Sequence, residues 1–172
     1  MRAAGVLVSL SVAVALGACG DLGGRYRASQ IVRPAAVDQR ALDRYGPGSP
    51  ERTVLEWYAA LQRHDVAAAS RYYTMRASGA TPGRLRRLMA GAQPFFTRVG
   101  LGPLSADAVR PGSAMVFTDL RVRWEAPNGR AQELRSPQSL TLVREGGRWR
   151  FADTYFLSFA RGYRPQRPLK SW

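Results

Sequence analysis

Cysteine and histidine are almost absent from this 172-residue sequence, which has one of each. One cysteine excludes a disulfide within the chain, and a structural zinc site built from cysteine and histidine lacks its ligands. One histidine likewise excludes a metal centre with several histidine ligands. We therefore expect no metal and no cofactor. The hydrophobic content of 45% is that of a folded protein, so the composition argues against a wholly disordered chain.

Acidic residues are also scarce, because 12 of them stand against 26 lysines and arginines, and the formal net charge is +14. In an intracellular protein this charge would favour a nucleic-acid partner. The N-terminal segment indicates export, so we expect no nucleic-acid partner. The basic chain would meet anionic headgroups, wall polymers or an acidic protein partner of the envelope instead.

The N-terminal segment has the pattern of a secretory signal peptide. Arg2 precedes an uncharged apolar stretch from Ala3 to Leu16, which is shorter than the roughly 20 residues of a membrane-spanning helix. The run Leu16-Gly17-Ala18-Cys19 resembles the lipobox of bacterial lipoproteins. That resemblance implies that residues 1–18 are removed and that Cys19 carries palmitate or a similar acyl chain. The alternative is a secreted protein in which Cys19 has no such role.

A lipidated Cys19 predicts the location and the organisation of the mature chain. The lipid would hold the protein on the bacterial cell membrane or the outer membrane, with its domain facing the periplasm or the exterior. Residues 19–48 are rich in glycine, proline and basic residues and are predicted to form a flexible tether. Residues 49–158 are predicted to form the folded domain, and residues 159–172 a basic flexible tail with two prolines.

Helices are predicted in the first half of the domain. Ser49 is a good N-cap, and Pro50 suits the first helical position. Apolar residues then recur at helical spacing up to Leu61, and Asp65 can cap a second helix. A third helix is predicted to start near Pro82 and to end before Pro94. Tyr72 and Tyr73 cannot both face inward, so one of them is expected to reach the mouth of a pocket.

Strands are predicted in the second half, where apolar residues alternate with polar ones. The alternation covers Ser113 to Glu125, Ala131 to Arg144 and Arg148 to Leu157. We expect the inner face of the strands to pack on the helices. Pro137 lies inside the second strand, and a proline there predicts a bulge or a bend.

Two turns fix the pairing of these strands. A three-residue loop ending in Gly129 would place Val122 opposite Leu134 inside the fold. A two-residue Gly146-Gly147 turn would place Leu142 opposite Phe151.

Arginine and acidic residues then alternate on the outer face of the sheet, which predicts either a basic surface for an anionic partner or a solvated face that neutralises itself. The residues of that face are Asp119, Arg121, Arg123, Glu125, Glu133, Arg135, Glu145, Arg148 and Arg150.

Two stretches resemble the nuclear transport factor 2-like superfamily. Val54 to Asp65 is similar to the opening helix of that family and its turn into the second, and Gly147 to Asp153 is similar to the final strand. The resemblance implies an α+β fold, also called cystatin-like, in which N-terminal helices pack in the concavity of a curved antiparallel sheet around a cone-shaped pocket. Ketosteroid isomerases of the family carry a tyrosine where Trp57 stands here, and no carboxylate lies between Met75 and Gly83 to serve as their general base.

The residues expected to line that pocket lie on the helix and on the strands. They are Trp57, Thr118, Trp124, Gln138, Asp153 and Tyr155. A carboxylate such as Asp153 in apolar surroundings would have a raised pKa and could act as an acid or a base. The alternative is a structural acid held by hydroxyl groups, amide groups or an arginine of the helices, and on these residues alone we assign no catalytic residue.

We therefore expect an envelope lipoprotein with a domain that is not an enzyme and that binds a small apolar ligand or an envelope partner. One alternative is an acid–base enzyme, similar to isomerases, dehydratases or cyclases, that uses a pocket carboxylate. The other alternative is a scaffolding protein that forms a homodimer through its sheet. An apolar patch around Met115 and Phe117 would favour the homodimer.

Overall fold

The structure is a computed structural model that describes residues 31–77, 82–126 and 128–162. The signal peptide, Cys19 and the tail from residue 163 onward lie outside the described residues. The expected cleavage and lipidation therefore stay predictions.

Five helices and six strands make up the described part of the chain. The helices are α1 (Gln39–Leu42), α2 (Pro50–Gln62), α3 (Val66–Ser70), α4 (Pro82–Phe96) and α5 (Tyr155–Gly162). The strands are β1 (Ile31–Val32), β2 (Gly100–Leu101), β3 (Ser105–Arg110), β4 (Ser113–Glu125), β5 (Ala131–Glu145) and β6 (Arg148–Phe151). The strands form one curved antiparallel sheet, and the helices pack in its concavity, which confirms the predicted α+β fold.

Helices α2 and α3 begin where the capping residues predict. The Ser49 hydroxyl accepts a hydrogen bond from the Arg52 N–H at 3.1 Å, and Pro50 occupies the first helical position. The Asp65 carboxylate accepts a hydrogen bond from the Ala68 N–H at 2.9 Å. Each side chain thus satisfies one of the N–H groups that a helix leaves free at its start. Helix α4 runs through Pro94 to Phe96, three residues beyond the predicted end.

Strand β4 is the centre of the sheet. One of its edges pairs along its whole length with β5, and the other pairs successively with β3, β2 and β1. β6 lies beyond β5 and pairs with residues 142–145 of that strand. The segment after α3 closes the outer edge of β6, because the Phe151 N–H donates to the Tyr72 carbonyl at 2.7 Å.

The predicted registers are confirmed. Val122 lies opposite Leu134, and Leu142 lies opposite Phe151. Gly146 and Gly147 have φ angles of 58° and 78°, so both occupy the left-handed region that a two-residue hairpin turn of this kind requires. Glycine at both positions therefore sets the register of the last hairpin.

The bulge expected at Pro137 does not occur. β5 pairs with β4 without a shift, and Pro137 stands opposite Asp119. In an antiparallel ladder, residue pairs joined by backbone hydrogen bonds alternate with pairs that are not. Ala126 and Arg130 are a hydrogen-bonded pair, and counting from them makes Asp119–Pro137 a pair without backbone hydrogen bonds. The N–H that proline lacks would therefore point away from β4, toward the other edge of β5. At that edge β6 pairs only with residues 142–145, so it does not extend to Pro137.

The last predicted strand is too long. β6 ends at Phe151, and the chain continues as α5, which extends four residues past the predicted end of the domain at residue 158. Phe156, Leu157 and Ala160 have helical spacing and are buried. Because the apolar residues of this stretch fit both periods, alternation alone does not distinguish a strand from a helix here.

The predicted tether also folds in part. Ile31, Val37, Leu42 and Tyr45 pack against the hydrophobic core. Side-chain bonds fix this segment, since the Val37 N–H donates to Gln62 Oε1 at 2.9 Å and the Leu104 N–H donates to Tyr45 Oη at 2.9 Å. Residues 31–48 are therefore part of the domain, and the prediction of a flexible tether over them is wrong.

The outer face of the sheet neutralises itself in part. The carboxylate of Glu133 accepts hydrogen bonds from both Arg123 and Arg135, and these two bonds lower the pKa of Glu133. Arg150 forms an ion pair with Glu145 at 3.4 Å. Opposite charges on neighbouring strands thus meet as the registers predict.

Candidate functional site

Trp57 lies in the core of the domain, where an aromatic cluster fills the space between helices and sheet. Its ring has tilted or edge-on contacts with Phe96, Phe151 and Phe156, with centroid distances between 4.6 and 5.7 Å. Trp57 is fully buried, and its indole N–H has no hydrogen-bond acceptor among the residues that the structure describes. The structure therefore places this pocket candidate in packed aromatic surroundings.

Asp153 and Tyr155 lie outside the sheet. The Asp153 carboxylate is exposed and accepts a hydrogen bond from the Tyr155 N–H at 2.9 Å, at the start of α5. The Tyr155 side chain is 61% exposed. The expected placement of these two residues on the inner face of the last strand is wrong, because the chain leaves the sheet at Phe151 and Asp153 serves the new helix.

Thr118, Gln138 and Trp124 keep their predicted positions on the long strands. Thr118 pairs with Gln138, and Trp124 is buried on the same strand as Thr118. The Thr118 hydroxyl donates to the Gly102 carbonyl at 3.4 Å, and the Gln138 amide donates to the Ser136 hydroxyl at 3.5 Å. These groups bond to the sheet and its connections, and Asp153 is not among them.

Glu56 and Tyr72 lie in a cleft of about 570 Å³ between α2, α3 and the turn from β5 to β6. We call it the Glu56 cleft. Trp149 forms part of its wall, and the cationic residues Arg71, Arg148 and Arg150 line it. A volume of this size suits a small organic ligand.

Two side chains hold the Glu56 carboxylate. Arg52, one helical turn earlier on α2, donates to Glu56 Oε1 at 3.0 Å and forms an ion pair with it. The Tyr72 hydroxyl lies 3.4 Å from Glu56 Oε2, to which it donates. The chain turns at the end of α3, and this turn brings Tyr72 against α2. The cleft thus contains a carboxylate next to a phenol.

The pKa of Tyr72 is raised. Burial is the main cause, and the nearby Glu56 carboxylate adds to it, whereas Arg63 and Arg71 act in the opposite direction. The phenol therefore keeps its proton at neutral pH and can donate it in a hydrogen bond. Together the two groups offer a proton acceptor and a proton donor on one wall.

Arginines also line the cleft. Arg150 Nη1 donates to the carbonyls of Arg71 and Tyr73 at 3.0 and 3.3 Å, which fixes β6 against the end of α3. The side chains of Arg71 and Arg148 are exposed and form no ion pair within the described part of the chain. They give the cleft the charge that attracts an anion.

Glu56 is not among the residues that the sequence predicts for a pocket. Tyr73 is buried in the core and Tyr72 lines the cleft, so the two tyrosines do not both face inward. The cleft is not the cone-shaped pocket whose mouth one of them was expected to reach. The helical spacing of Glu56 to Arg52 is the one local signal of its role. The approach of α3 to α2, which brings Tyr72 to Glu56, is a tertiary feature.

The comparisons with known proteins concern the fold. No family model matches the sequence, and no curated protein matches it. Among solved structures, an uncharacterised protein from Caulobacter vibrioides with a cystatin-like fold is 20% identical, with a TM-score of 0.43, and the match covers 63% of this chain and 87% of that one. The fold is nuclear transport factor 2-like.

Two other solved structures with this nuclear transport factor 2-like fold come from Novosphingobium aromaticivorans. One is named "Putative Scytalone Dehydratase"; it is 16% identical, the match covers 60% of this chain and 76% of that one, and the TM-score is 0.43. The other is named "Putative Aromatic Ring Hydroxylase"; it is 13% identical, the match covers 59% and 80%, and the TM-score is 0.41. These names contradict our expectation of a domain without catalysis, and we withdraw it.

Membrane spans and metal sites are absent from the described residues of this nuclear transport factor 2-like domain. No helix among them is long and apolar enough to cross a bilayer. Nor do they contain a group of three or more histidine, cysteine or acidic side chains that could hold a metal ion.

Proposed function

We propose that this chain is a lipid-anchored envelope protein whose domain carries out acid–base chemistry on a small organic anion in the Glu56 cleft. The observation that carries the proposal is the pairing of the Glu56 carboxylate with the Tyr72 hydroxyl inside a cleft lined by arginines. This is the acid–base alternative that the sequence left open, with Glu56 in place of Asp153.

The chemistry follows from the states of the two groups. The Glu56 carboxylate is paired with Arg52, and a carboxylate in this position can accept a proton from a carbon next to a carbonyl group. Tyr72 retains its proton, and its one O–H would turn from Glu56 to the carbonyl oxygen of the substrate as negative charge develops there. Arg71 and Arg148 would bind the anionic group of the substrate. Isomerisations and dehydrations begin with such a proton transfer.

The anchor would place this cleft near a membrane. The lipid on Cys19 would be separated from β1 by residues 20–30, and eleven residues span at most about 36 Å. The domain would therefore work close to the bilayer, in the periplasm or at the cell exterior. The +14 charge of the chain would favour its contact with anionic headgroups at low salt.

Solvent exchange tests the chemistry without knowledge of the natural substrate. In D₂O, the probe 4-phenyl-2-oxobutanoate should take up deuterium next to its carbonyl group faster with the protein than without it. Glu56→Gln should slow the catalysed exchange about hundredfold or more. Glu51→Gln, on the same helix, is the matched control and should keep the rate. Exchange that Glu56→Gln leaves unchanged, or an absence of any acceleration, would refute the proposal.

Mass spectrometry tests the anchor. The protein purified from its own membranes should carry acyl chains on Cys19 at its N-terminus, and Cys19→Ala should move it out of the membrane fraction. A free thiol on Cys19 in exported protein would contradict the anchored location and would leave the cleft chemistry to its own test.

A second candidate function is a homodimer formed through the sheet. We propose it on the exposure of two apolar side chains of adjacent strands, Val109 at 60% and Phe117 at 38%. Phe117→Glu should then convert a dimer into a monomer in analytical ultracentrifugation. A wild-type chain that sediments as a monomer at all concentrations would exclude this candidate.

A further inference from the structure

A second cleft lies on the other side of α2, under the segment that follows β1. It has a volume of about 580 Å³, and four arginines line it: Arg33, Arg44, Arg121 and Arg123. We call it the Arg121 cleft. None of the residues in the Glu56 cleft lines it, so a function of one cleft is independent of a function of the other.

Part of the wall of the Arg121 cleft is apolar, and the segment that covers the cleft is fixed in place. Val32, Val37, Leu55 and Leu101 supply apolar surface, and Val32 is 51% exposed. The segment that covers the cleft is fixed to α2, because Gln62 accepts from the Val37 N–H at 2.9 Å and donates to the Ala35 carbonyl at 3.2 Å. The cleft therefore exists before any ligand enters.

The guanidinium group of Arg121 has an unsatisfied donor. Its Nε atom is inaccessible to solvent and has no acceptor among the described residues. A buried donor without a partner costs free energy, since it has lost its water without gaining a protein acceptor. Gly102 lies against this Nε atom, so an anion in the cleft would bond to the other N–H groups of the guanidinium and would reach Nε once the side chain moves off the glycine.

The charges around Arg121 favour an anion as well. Arg33 and Arg44 are exposed and form no ion pair within the described part of the chain. Arg123 is paired with Glu133. The acidic residue of the cleft is Asp38, whose carboxylate accepts from the Ala41 N–H at 2.8 Å and so caps α1. Positive charge thus prevails in the cleft.

Gly102 brings the backbone up to this guanidinium group. A Cβ atom at position 102 would lie 3.0 Å from Arg121 Nε and 3.1 Å from Nη2, closer than side chains normally approach. The glycine therefore lets the guanidinium group of Arg121 pack against the connection between β2 and β3, which covers its Nε atom.

From these features we propose that the Arg121 cleft binds an amphiphilic anion. The carboxylate or phosphate group of the ligand would accept hydrogen bonds from Arg121, with Arg33 and Arg44 supplying further charge. The apolar part of the ligand would lie against Val32, Val37 and Leu101. A free short-chain acid and an anionic phospholipid both have this chemistry.

Nuclear magnetic resonance of the full mature protein in phosphatidylcholine nanodiscs separates these sources. Hexanoate represents a free acid and dihexanoylphosphatidylglycerol an anionic lipid, while hexanol and dihexanoylphosphatidylcholine are the matched probes without net charge. The Nε–H resonance of Arg121 is the readout and is assigned from the Arg121→Lys spectrum. We expect a saturable shift with at least one anion and with neither uncharged probe, and the anion that binds more tightly identifies the source.

Variants make the result specific. Arg121→Gln should weaken binding of the anion about tenfold or more, measured by calorimetry. Because that variant could fail to fold, the double variant Arg33→Gln/Arg44→Gln in the exposed segment should weaken binding severalfold on its own. Arg110→Gln, on β3 and outside the cleft, is the control. Equal binding of anion and uncharged probe, no saturable shift, or an equal loss in Arg110→Gln would overturn the proposal.

Discussion

Trp57 and Tyr58 are adjacent on α2 and both buried, yet truncation of each to phenylalanine should have opposite consequences for hydrogen bonding. Tyr58 donates to the Val99 carbonyl, whereas the Trp57 indole N–H has no acceptor among the described residues. Burial raises the pKa of Tyr58, so its hydroxyl remains a donor at all ordinary pH values. The pair thus compares a satisfied polar group with an unsatisfied one in the same core.

The magnitudes can be worked from this difference. Trp57→Phe removes about a third of the side chain, which costs about 1–1.5 kcal/mol as a share of the roughly 3–5 kcal/mol of a full truncation. It also removes an unpaired donor that costs about 1–3 kcal/mol. The net change should therefore lie between a stabilisation of about 2 kcal/mol and a destabilisation of about 0.5 kcal/mol. Tyr58→Phe should destabilise by about 1–3 kcal/mol, because the Val99 carbonyl loses its donor.

Urea denaturation followed by circular dichroism measures both changes, provided that the two variants keep the wild-type dependence on urea. Trp57→Leu is the packing control and should cost more than Trp57→Phe, because four aromatic rings contact the indole. A Trp57→Phe protein less stable than Tyr58→Phe would refute an unpaired indole donor. The indole N–H would then be bonded to the hydroxyl of Tyr73, whose ring packs edge-on against the indole at a centroid distance of 6.2 Å.

Three further predictions concern the surface and the turns. Glu133→Gln should lower the free energy of unfolding by about 0.5 kcal/mol at neutral pH, measured by urea denaturation. Hydrogen bonds from Arg123 and then Arg135 lower the pKa of Glu133 in the folded protein. The stabilisation is therefore present above the pKa of about 4.5 in the unfolded chain and is lost as the pH falls through the lower pKa of the folded protein. In acid, the variant and the wild type should be equally stable. Gly147→Ala should lower the stability by about 1–2 kcal/mol, because φ is 78° at that position, whereas Gly46→Ala should be nearly neutral. Equal changes of the melting temperature in the two variants would contradict this. His64→Gly should raise the melting temperature slightly or leave it unchanged, since His64 has a φ of 61°, and a clear fall would show that its side chain stabilises the turn.

Local signals in the sequence predicted much of the fold. Ser49 and Asp65 satisfy helix N–H groups within three residues, so their role depends on short-range chemistry alone. The Gly146-Gly147 turn and the alternation of β4 and β5 fix the registers, because a slip by one residue would turn every apolar side chain outward. Predicted element ends were wrong where two local signals competed, as at Asp153, which can end a strand or cap a helix.

The candidate sites depended on contacts that are distant in the sequence. Glu56 and Tyr72 meet because α3 turns back on α2, and residues 31–45 meet the β2–β3 connection because Tyr45 bonds to Leu104. The composition of residues 31–48 suggested a tether because it is rich in glycine, proline and basic residues. Four of those residues nevertheless find places against the core, and periodicity gives no signal of that.

The position of both clefts follows from how the interior is filled. α5 contributes Phe156 and Phe159 to an aromatic cluster that also contains Phe95 and Trp57, and this cluster occupies the space between helices and sheet. Charged side chains cannot enter such surroundings without losing hydration that the rings do not replace. Glu56 and Arg121 therefore lie at the margins of the domain, where one side of each group contacts protein and the other can meet a ligand. Shortening an aromatic residue of the cluster should accordingly change stability and leave anion binding in the Arg121 cleft intact, because no residue of the cluster lines that cleft.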